Sequence, residues 1–564
     1  MPTHAPLDTE SDDATAFGPP GRFSRLKQFG LVVLCAAWVL LGTVGHDPWK
    51  TQDATTFGVA LEMMGHGDTL VPHLGGEPLV DNPPLVYLVA AGTGVALSPL
   101  LPLHDAARLA AALILTLTLL LLAATATELY GGTYRWMAVL LFIGSVGLWE
   151  RAHQVSPELG LMLAIAAALY GFARALRKPV SGGAMLGLGA GIAFLSTGLM
   201  GLVWVGTTAV ALPVAFSTWR TRRYALTAGM ALAIAIVLVG AWPLALFLRA
   251  PAHLNAWWAS QSLGDFLAPL DPAASGDATF LLKNLPWFAW PALPLVLWTV
   301  WTRGRGFNGG LATPGVQLPA MAALVIGAAI LAMADPRLIV LMPLLLPLSL
   351  LAALEIDTLK RGFSGALDWF GILTFGLLSV LMWWLWFDAS AHGMSPAIAR
   401  LFRDTEAGYQ PSFHWAPFGL SLFLTVLWLA LVRPARRSNR RAVLNWAAGM
   451  TLLWALYSTI WLPYVDSRRS YRTVAESVRA VLPREGCVAS RNLGDAQRAL
   501  FHYFAHLVTV RAEHSPIERC GALLVQYGRN DREPTTPEGW EAAWTGQRRG
   551  DDTERYVLYL RKTP

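Results

Sequence analysis

The chain has 564 residues, of which 54% are hydrophobic and only 14% are charged. Soluble domains carry about 25% charged residues, so this composition excludes an ordinary soluble protein and favours a membrane protein. The formal net charge of +6 comes from short basic clusters between apolar blocks, which report topology and exclude a nucleic-acid-binding surface.

The chain begins with a polar stretch that is expected to remain outside the membrane. We predict that residues 1–27 form a disordered cytoplasmic tail, because they start with many polar, Pro and Gly residues and end with three basic ones. The first apolar block follows without a clear small-residue cleavage site. It is therefore predicted to be a retained helix and not a signal peptide.

Apolar blocks suited to crossing a hydrocarbon layer of about 30 Å recur along the chain. They cover residues 28–45, 84–101, 105–129, 135–150, 158–176, 183–198, 200–216, 224–248, 284–302, 318–333, 338–355, 367–388, 416–433 and 443–462. If block 84–101 does not cross, all basic clusters fall on one side, as the positive-inside rule requires. This block is also interrupted by Gly92, Gly94 and Pro99.

We therefore predict an all-α polytopic membrane domain with about 13 transmembrane helices over residues 28–463. The N-terminus is expected to be cytoplasmic. Residues 46–104 then form one large first loop on the periplasmic side of the inner membrane.

The last stretch, residues 464–564, is predicted to be a small soluble α/β domain in the periplasm. Helix-like runs cover 471–482 and 494–505, and strand-like runs cover 487–490, 507–510, 521–528 and 555–561. Cys487 and Cys520 both lie there, in a compartment where disulfides persist. They either form a bridge or remain two unpaired thiols.

The first loop carries three motifs, with the sequences HDPWKTQDA (46–54), MMGHGDTLVP (63–72) and GGEPLVDNPPL (75–85). They resemble the GT-C fold glycosyltransferases of the aminoarabinose transferase and protein mannosyltransferase superfamily. The usual pattern of that superfamily is an Asp-Glu pair, an amphipathic helix, Gly-Asp-Trp-x-x-Pro and Glu-Lys-Pro-Pro-Leu. The resemblance extends to FLSTG (194–198), NLPWF (284–288) and Arg337 before a Pro-rich span.

The resemblance implies sugar transfer from a polyprenyl-phosphate-linked donor to a lipid A, glycan or protein acceptor. The transfer would take place at the periplasmic face of the inner membrane. A carboxylate must orient or deprotonate the acceptor, and cations must hold the phosphate as it leaves. The expected acidic residues are Asp53, Glu158 and Asp47. The expected phosphate-binding cations are Lys50, Lys283 and Arg337.

Three positions that match the motifs carry other residues here. Gln52 stands in place of the catalytic Asp, Asn82 in place of a Lys, and Thr197 in place of another Lys. These three are still expected to line the substrate site. Their identities leave a second interpretation open, a catalytically impaired relative that binds a lipid-linked glycan or scaffolds an envelope complex.

Other interpretations of the same residues also stay open. Asp53 could serve only as an acidic residue at a helix N-terminus, and Glu158 follows an ordinary Ser-Pro helix start. A transporter is less favoured, because the ionisable residues gather at one face and not at the midplane. The sequence predicts no metal site, although a divalent cation bridging Asp53 and the donor phosphate stays open.

Overall fold

A computed structural model describes residues 22–260, 277, 279–392, 412–433, 438–483 and 486–562, apart from short gaps at 515, 517–519, 533, 549–550 and 552. Residues 1–21 of the expected tail lie outside the described residues. The first helix already begins at Arg22, so residues 22–27 are helical and do not belong to a disordered tail. No Pro or Gly interrupts this segment before Gly30, and Arg, Leu and Lys are good helix formers.

The described chain is mainly helical. Its helices up to residue 260 are α1 (Arg22–Leu40), α2 (Gln52–His66), α3 (Leu85–Leu97), α4 (Leu103–Tyr130), α5 (Arg135–Ile143), α6 (Pro157–Ala175), α7 (Pro179–Thr197), α8 (Leu199–Ala215), α9 (Arg222–Arg249) and α10 (Pro251–Ser260). The later helices are α11 (Phe280–Phe288), α12 (Ala292–Gly304), α13 (Pro314–Leu331), α14 (Leu345–Leu354), α15 (Arg361–His392), α16 (Trp415–Leu431), α17 (Asn439–Tyr457), α18 (Leu462–Arg469), α19 (Arg472–Val481) and α20 (Asp495–Ala505).

Six helices among the described residues are long and apolar enough to cross a membrane, or up to eight if each bent pair counts as one span. The bent pairs are α11 with α12, at 102°, and α17 with α18, at 63°. Several predicted spans correspond to shorter helices. Block 135–150, for example, holds only the nine-residue helix α5 and one 3₁₀ turn, Val146–Leu148, and a second 3₁₀ turn, Arg151–His153, follows it.

Helix α3 corresponds to the block that was predicted not to cross the membrane. It has 13 residues, which gives a length of about 20 Å at 1.5 Å per residue. This is shorter than a hydrocarbon core of about 30 Å. α3 packs against α2, α4 and α7.

Close packing of the membrane domain depends on small residues in α7. A Cβ atom at Gly182 would overlap the backbone of Ala175 in α6, and one at Gly187 would overlap the backbone of Ala231 in α9. The glycines therefore let α7 approach both neighbours at backbone distance, as small residues do in membrane helix bundles.

The C-terminal domain contains a five-stranded mixed sheet in the order β4-β3-β5-β7-β6. Its strands are β3 (Val488–Arg491), β4 (Thr509–Arg511), β5 (Ala522–Gly528), β6 (Trp540–Gln547) and β7 (Glu554–Arg561), and the first loop holds a short hairpin, β1 (His73–Leu74) and β2 (Glu77–Pro78). β3 pairs in parallel with β4 and β5, and the other pairings are antiparallel. α19 and α20 pack on one face of the sheet.

The two predicted helices and all four predicted strands of this domain are observed, and their ends agree with the prediction within one or two residues. β6 was not predicted. Cys487 and Cys520 form a disulfide, which decides between the two alternatives that the sequence left open.

The first loop and the C-terminal domain pack directly against each other, so they lie at the same end of the membrane helices. Ala54 of α2 belongs to the same buried cluster as Val478, Leu500 and Leu524 of the domain. We call this end, where residues 41–102 and 462–562 lie, the outer end.

Candidate functional site

Asp53 is buried at the start of α2 and forms an ion pair with Arg108 of α4. Arg108 Nη2 and Nε lie 3.0 and 3.1 Å from Asp53 Oδ2, and each residue is only 2% exposed. The backbone N–H groups of Trp49 and Val155 also donate to the Asp53 carboxylate, at 3.4 and 3.3 Å. Both oxygens of Asp53 are therefore occupied by the protein itself.

Arg108 also contacts two other parts of the outer end, the beginning of the first loop and the first turn of α4. Its Nη1 donates to Asp105 Oδ1 at 2.9 Å and to the carbonyl of His46 at 3.1 Å. Asp105 in turn accepts from the backbone N–H of Gly45 at 2.9 Å. Sequence reasoning missed Arg108, although a single Arg inside the apolar block 105–129 was a usable signal, because a charge there is costly unless it is paired.

Asp47 contacts the C-terminal domain. Its carboxylate accepts from Arg472 through two nitrogens and from Ser470 Oγ at 2.6 Å. Burial acts to raise the pKa of Asp47, but the hydrogen bonds from Arg472 and Ser470 outweigh it and hold the pKa below its ordinary value. Asp47 is thus an ionised carboxylate, and its partner Arg472 lies 425 residues further along the chain.

Lys50 also binds the C-terminal domain. Its ammonium pairs with Glu554, which further accepts from Tyr471 at 2.6 Å and from Tyr556 at 2.8 Å. Lys50 was expected to meet a phosphate, and here a carboxylate already neutralises it. Gln52, the first residue of α2, is partly buried and makes no side-chain hydrogen bond among the described residues.

Among the residues that the structure describes, Glu158 is the buried carboxyl group that keeps a free oxygen. It lies in the first turn of α6, 6% exposed, and interacts with Ser156 and with its own backbone N–H. Its Oε2 has no hydrogen-bond partner in the described part of the chain, and neither has the buried Ser196 Oγ of α7. A Cβ atom at Gly160 would overlap Ser196 Oγ, so the two helices touch beside Glu158.

Two expected site residues lie near Glu158. Arg337 is exposed and lies within electrostatic range of the Glu158 carboxyl group. Asp53 reaches the same segment through the N–H of Val155, three residues before Glu158. The structure therefore brings Asp53, Glu158 and Arg337 to one region of the outer end. The carboxylate of Asp53 is already paired with Arg108 there.

The other expected residues have local partners. Asn82 lies beside Tyr87 of α3, and Thr197 Oγ1 donates to the carbonyl of Ala193 at 3.2 Å. Lys283 pairs with Asp277 at 3.0 Å, and both side chains are largely exposed. None of these three contacts Asp53 directly.

Among the residues that the structure describes, no group of three or more His, Cys, Asp or Glu side chains could hold a metal ion. A cavity of about 560 Å³ opens near Glu128 and Tyr130. Twenty residues of α4 separate Arg108 from Glu128, a distance of about 30 Å, so this cavity lies at the opposite end of the membrane domain.

Comparison with solved structures identifies the architecture. The chain superposes on the crystal structure of ArnT from Cupriavidus metallidurans bound to undecaprenyl phosphate with a TM-score of 0.67, covering 95% of this chain and 98% of that one at 16% identity. The chain has the GT-C glycosyltransferase fold. The resemblance drawn from the first-loop motifs is thereby confirmed.

The GT-C fold is also present in a second, more distant structure. The archaeal oligosaccharyltransferase AglB from Archaeoglobus fulgidus, in complex with an inhibitory peptide and a dolichol-phosphate, matches with a TM-score of 0.50 at 11% identity. The match covers 90% of this chain and 70% of that one.

One curated relative agrees with this fold. The undecaprenyl phosphate-alpha-4-amino-4-deoxy-L-arabinose arabinosyl transferase 1 of Pseudomonas fluorescens is 25% identical over 365 residues. The alignment spans 62% of this chain and 64% of the relative, less than two thirds of its length. No family model matches the sequence.

Proposed function

We propose that this chain transfers a sugar from a polyprenyl-phosphate-linked donor to a lipid or glycan acceptor at the outer end of its membrane domain. The observation that supports the proposal most is the free, buried Oε2 of Glu158, with Arg337 within electrostatic range. The similar proteins named above include an undecaprenyl phosphate-alpha-4-amino-4-deoxy-L-arabinose arabinosyl transferase and an ArnT bound to undecaprenyl phosphate.

The reaction needs a base and an anion-binding group. The acceptor oxygen forms a bond to the anomeric carbon of the sugar while the bond from that carbon to the phosphate oxygen breaks. The acceptor proton then passes to a carboxylate, and the lipid phosphate leaves as an anion. Glu158 would take the proton, and Arg337 would stabilise the departing phosphate.

The role that we expected for Asp53, orienting the acceptor, stays a prediction. Its pairing with Arg108 supports a second role, in which it positions the turn before Glu158 through the N–H of Val155. Asp47 and Lys50 would fix the first loop against the C-terminal domain and so define the wall of the site. Binding of a divalent cation between Asp53 and the donor phosphate also stays an open prediction.

We further propose 13 spans in the inner membrane, with a cytoplasmic N-terminus and a periplasmic C-terminal domain. The basic clusters between spans support this count, as does the packing of the first loop against that domain. The proposed domains are the membrane domain 28–463 and the soluble domain 464–564.

A specific observation favours the second candidate function, binding of a lipid-linked glycan without catalysis. Asn82 and Thr197, which replace motif lysines, carry no positive charge; Asn82 lies beside Tyr87, and Thr197 hydrogen-bonds the carbonyl of Ala193. Neither residue supplies a cation to a donor phosphate.

The decisive experiment is transfer by the full-length protein in lipid nanodiscs, supplied with polyprenyl-phosphate-linked sugars and bacterial glycolipids, with products identified by mass spectrometry. The wild type should form glycosylated product, and Glu158→Gln should lower the rate by about 100-fold or more, as expected for loss of a general base. Glu128→Gln, at the opposite end of α4, is the matched control and should retain activity.

The same assay distinguishes the two functions. If the wild type forms no product while the triple variant Gln52→Asp, Asn82→Lys, Thr197→Lys does, the native chain binds lipid-linked glycan without transferring it. Comparing the glycolipids of cells with and without the protein would identify the sugar and its acceptor.

A further inference from the structure

Six cations lie at the outer end of the described membrane domain, and they differ in whether a carboxylate neutralises them. Four have carboxylate partners, namely Lys50 with Glu554, Arg108 with Asp53, Arg249 with Asp68 and Lys283 with Asp277. In the described part of the chain, the side chains of Arg151 and Arg337 form neither an ion pair nor a hydrogen bond. Arg337 was expected from the sequence to meet a phosphate, whereas Arg151 was not.

Arg151 is partly buried, which makes its lack of a partner costly. The neighbouring Glu150 forms neither an ion pair nor a hydrogen bond with Arg151 and instead accepts from Gln154 at 2.7 Å, from Tyr457 at 3.4 Å and from Arg469. The guanidinium carbon of Arg151 lies 6.0 Å from the centre of the Phe288 ring, at the outer limit of a cation–π contact. Burial lowers the pKa of Arg151 while the charge of Glu150 acts in the opposite direction, and a bound anion would offset the burial cost further.

The segment that carries Arg151 is held in place on both sides. His153 contacts the carbonyls of Trp38 and Trp149 at 2.6 and 2.9 Å, and the N–H of Val155 binds Asp53. Glu158 follows on the same segment. Arg151 is thus a cation on a fixed segment that also supplies the proposed base.

Arg151 and Arg337 approach the same helix from different parts of the chain. The 3₁₀ turn Val146–Leu148, just before Arg151, packs against α11, and a Cβ atom at Gly147 would overlap the Phe288 ring. The 3₁₀ turn Leu338–Leu341, just after Arg337, packs against α11 as well. The backbone turns that adjoin Arg151 and Arg337 therefore contact the same short helix at the outer end.

We propose that Arg151 binds the phosphate of the polyprenyl-phosphate donor together with Arg337. The inference deepens the proposed function and rests on it. Two guanidinium groups supply the charge-assisted hydrogen bonds that a phosphate prefers. They would also take over from the motif lysines that Asn82 and Thr197 replace in this chain.

The phosphate could come from the donor lipid or from an ordinary phospholipid headgroup, and a binding experiment separates the two. Full-length protein is mixed with undecaprenyl phosphate or with phosphatidylglycerol, and bound lipid is counted by native mass spectrometry. Arg151→Ala should weaken undecaprenyl phosphate binding by about tenfold or more, the loss expected for one charge-assisted hydrogen bond. Arg151→Lys should lose less, because it keeps the charge.

Arg249→Ala is the matched control, because Arg249 is an outer arginine whose charge Asp68 already neutralises. It should bind undecaprenyl phosphate like the wild type. Arg151 makes no hydrogen bond in the described chain, so its replacement should leave the melting temperature nearly unchanged, and this is measured for each variant.

Three outcomes overturn the inference, and they differ in whether the proposed function fails with it. If the wild type binds undecaprenyl phosphate and Arg151→Ala binds it equally well, the inference fails alone. If Arg151→Ala loses phosphatidylglycerol to the same extent as undecaprenyl phosphate, Arg151 is a headgroup anchor. If the wild type binds no undecaprenyl phosphate, the proposed function fails together with the inference.

Discussion

Arg108 and Asp53 form a buried ion pair, with Nη2 of the arginine 3.0 Å from Oδ2 of the aspartate. The pair joins the beginning of α4 to the beginning of α2, so it links the membrane domain to the first loop. Because burial removes both charges from water, each partner depends on the other for its stabilisation.

Removing Arg108 should therefore destabilise the whole outer end. Arg108→Ala leaves Asp53 buried without a counter-ion and is expected to lower the free energy of unfolding by about 3–5 kcal/mol. Thermal and denaturant unfolding of the detergent-solubilised protein would measure the loss. Arg249→Ala removes an ion pair with a 63% exposed arginine and should cost at most about 1 kcal/mol. Equal losses in the two variants would contradict a structural role for the buried pair.

The contact between Asp47 and Arg472 should make stability depend on pH. A carboxylate whose pKa is lowered on folding stabilises the protein above its ordinary pKa of 3.8, and this contribution fades as the pH falls through that value and below it. The melting temperature of the wild type should exceed that of Asp47→Asn at neutral pH. The difference should shrink below about pH 4. A gap that stays constant down to pH 3 would show that Asp47 is not the titrating group.

The disulfide between Cys487 and Cys520 should stabilise the C-terminal domain. It closes a sequence separation of 33 residues, for which about 2–4 kcal/mol is typical. The double variant Cys487→Ser, Cys520→Ser should be cleaved faster by protease within residues 486–562, and a reducing agent should produce the same change in the wild type. Cys35→Ser, in α1, serves as the control and should resist cleavage like the unmodified protein.

The proposed topology can be tested by cysteine labelling in intact cells. In a Cys35→Ser background, single cysteines at Ser181 and Thr313 should not react with a membrane-impermeant maleimide, because both positions are predicted to face the cytoplasm. A cysteine at the exposed Glu541 in β6 should react. Labelling at either of the first two positions would rule out the 13-span arrangement.

Sequence patterns predicted the parts of this fold that carry a local signal. Long apolar blocks marked the helices, and interruptions by Gly and Pro marked the short helix α3. β6 was missed because it is an edge strand, paired with β7 alone, and most of its side chains are exposed. Such a strand lacks the buried alternation that identifies a strand from sequence.

The roles of the candidate site residues stay predictions, and the sequence did not predict which residues their side chains contact. Motif positions indicated Asp53, Glu158 and Arg337, which the structure brings to one region. The partners of Lys50 and Asp47 could not be found, because Glu554 and Arg472 lie more than 400 residues further along the chain. One sequence carries no information about which distant charges will meet.

The distance in sequence between Asp47 and Arg472 also bears on how the protein is made. At 5–20 residues per second, a ribosome needs about 20–90 s to proceed from the first residue to the second. During that interval the first loop has already been synthesised, and Asp47 has no counter-ion because Arg472 has not yet been added to the chain. A premature stop codon before position 472 would therefore leave Asp47, translated near the beginning, without its counter-ion.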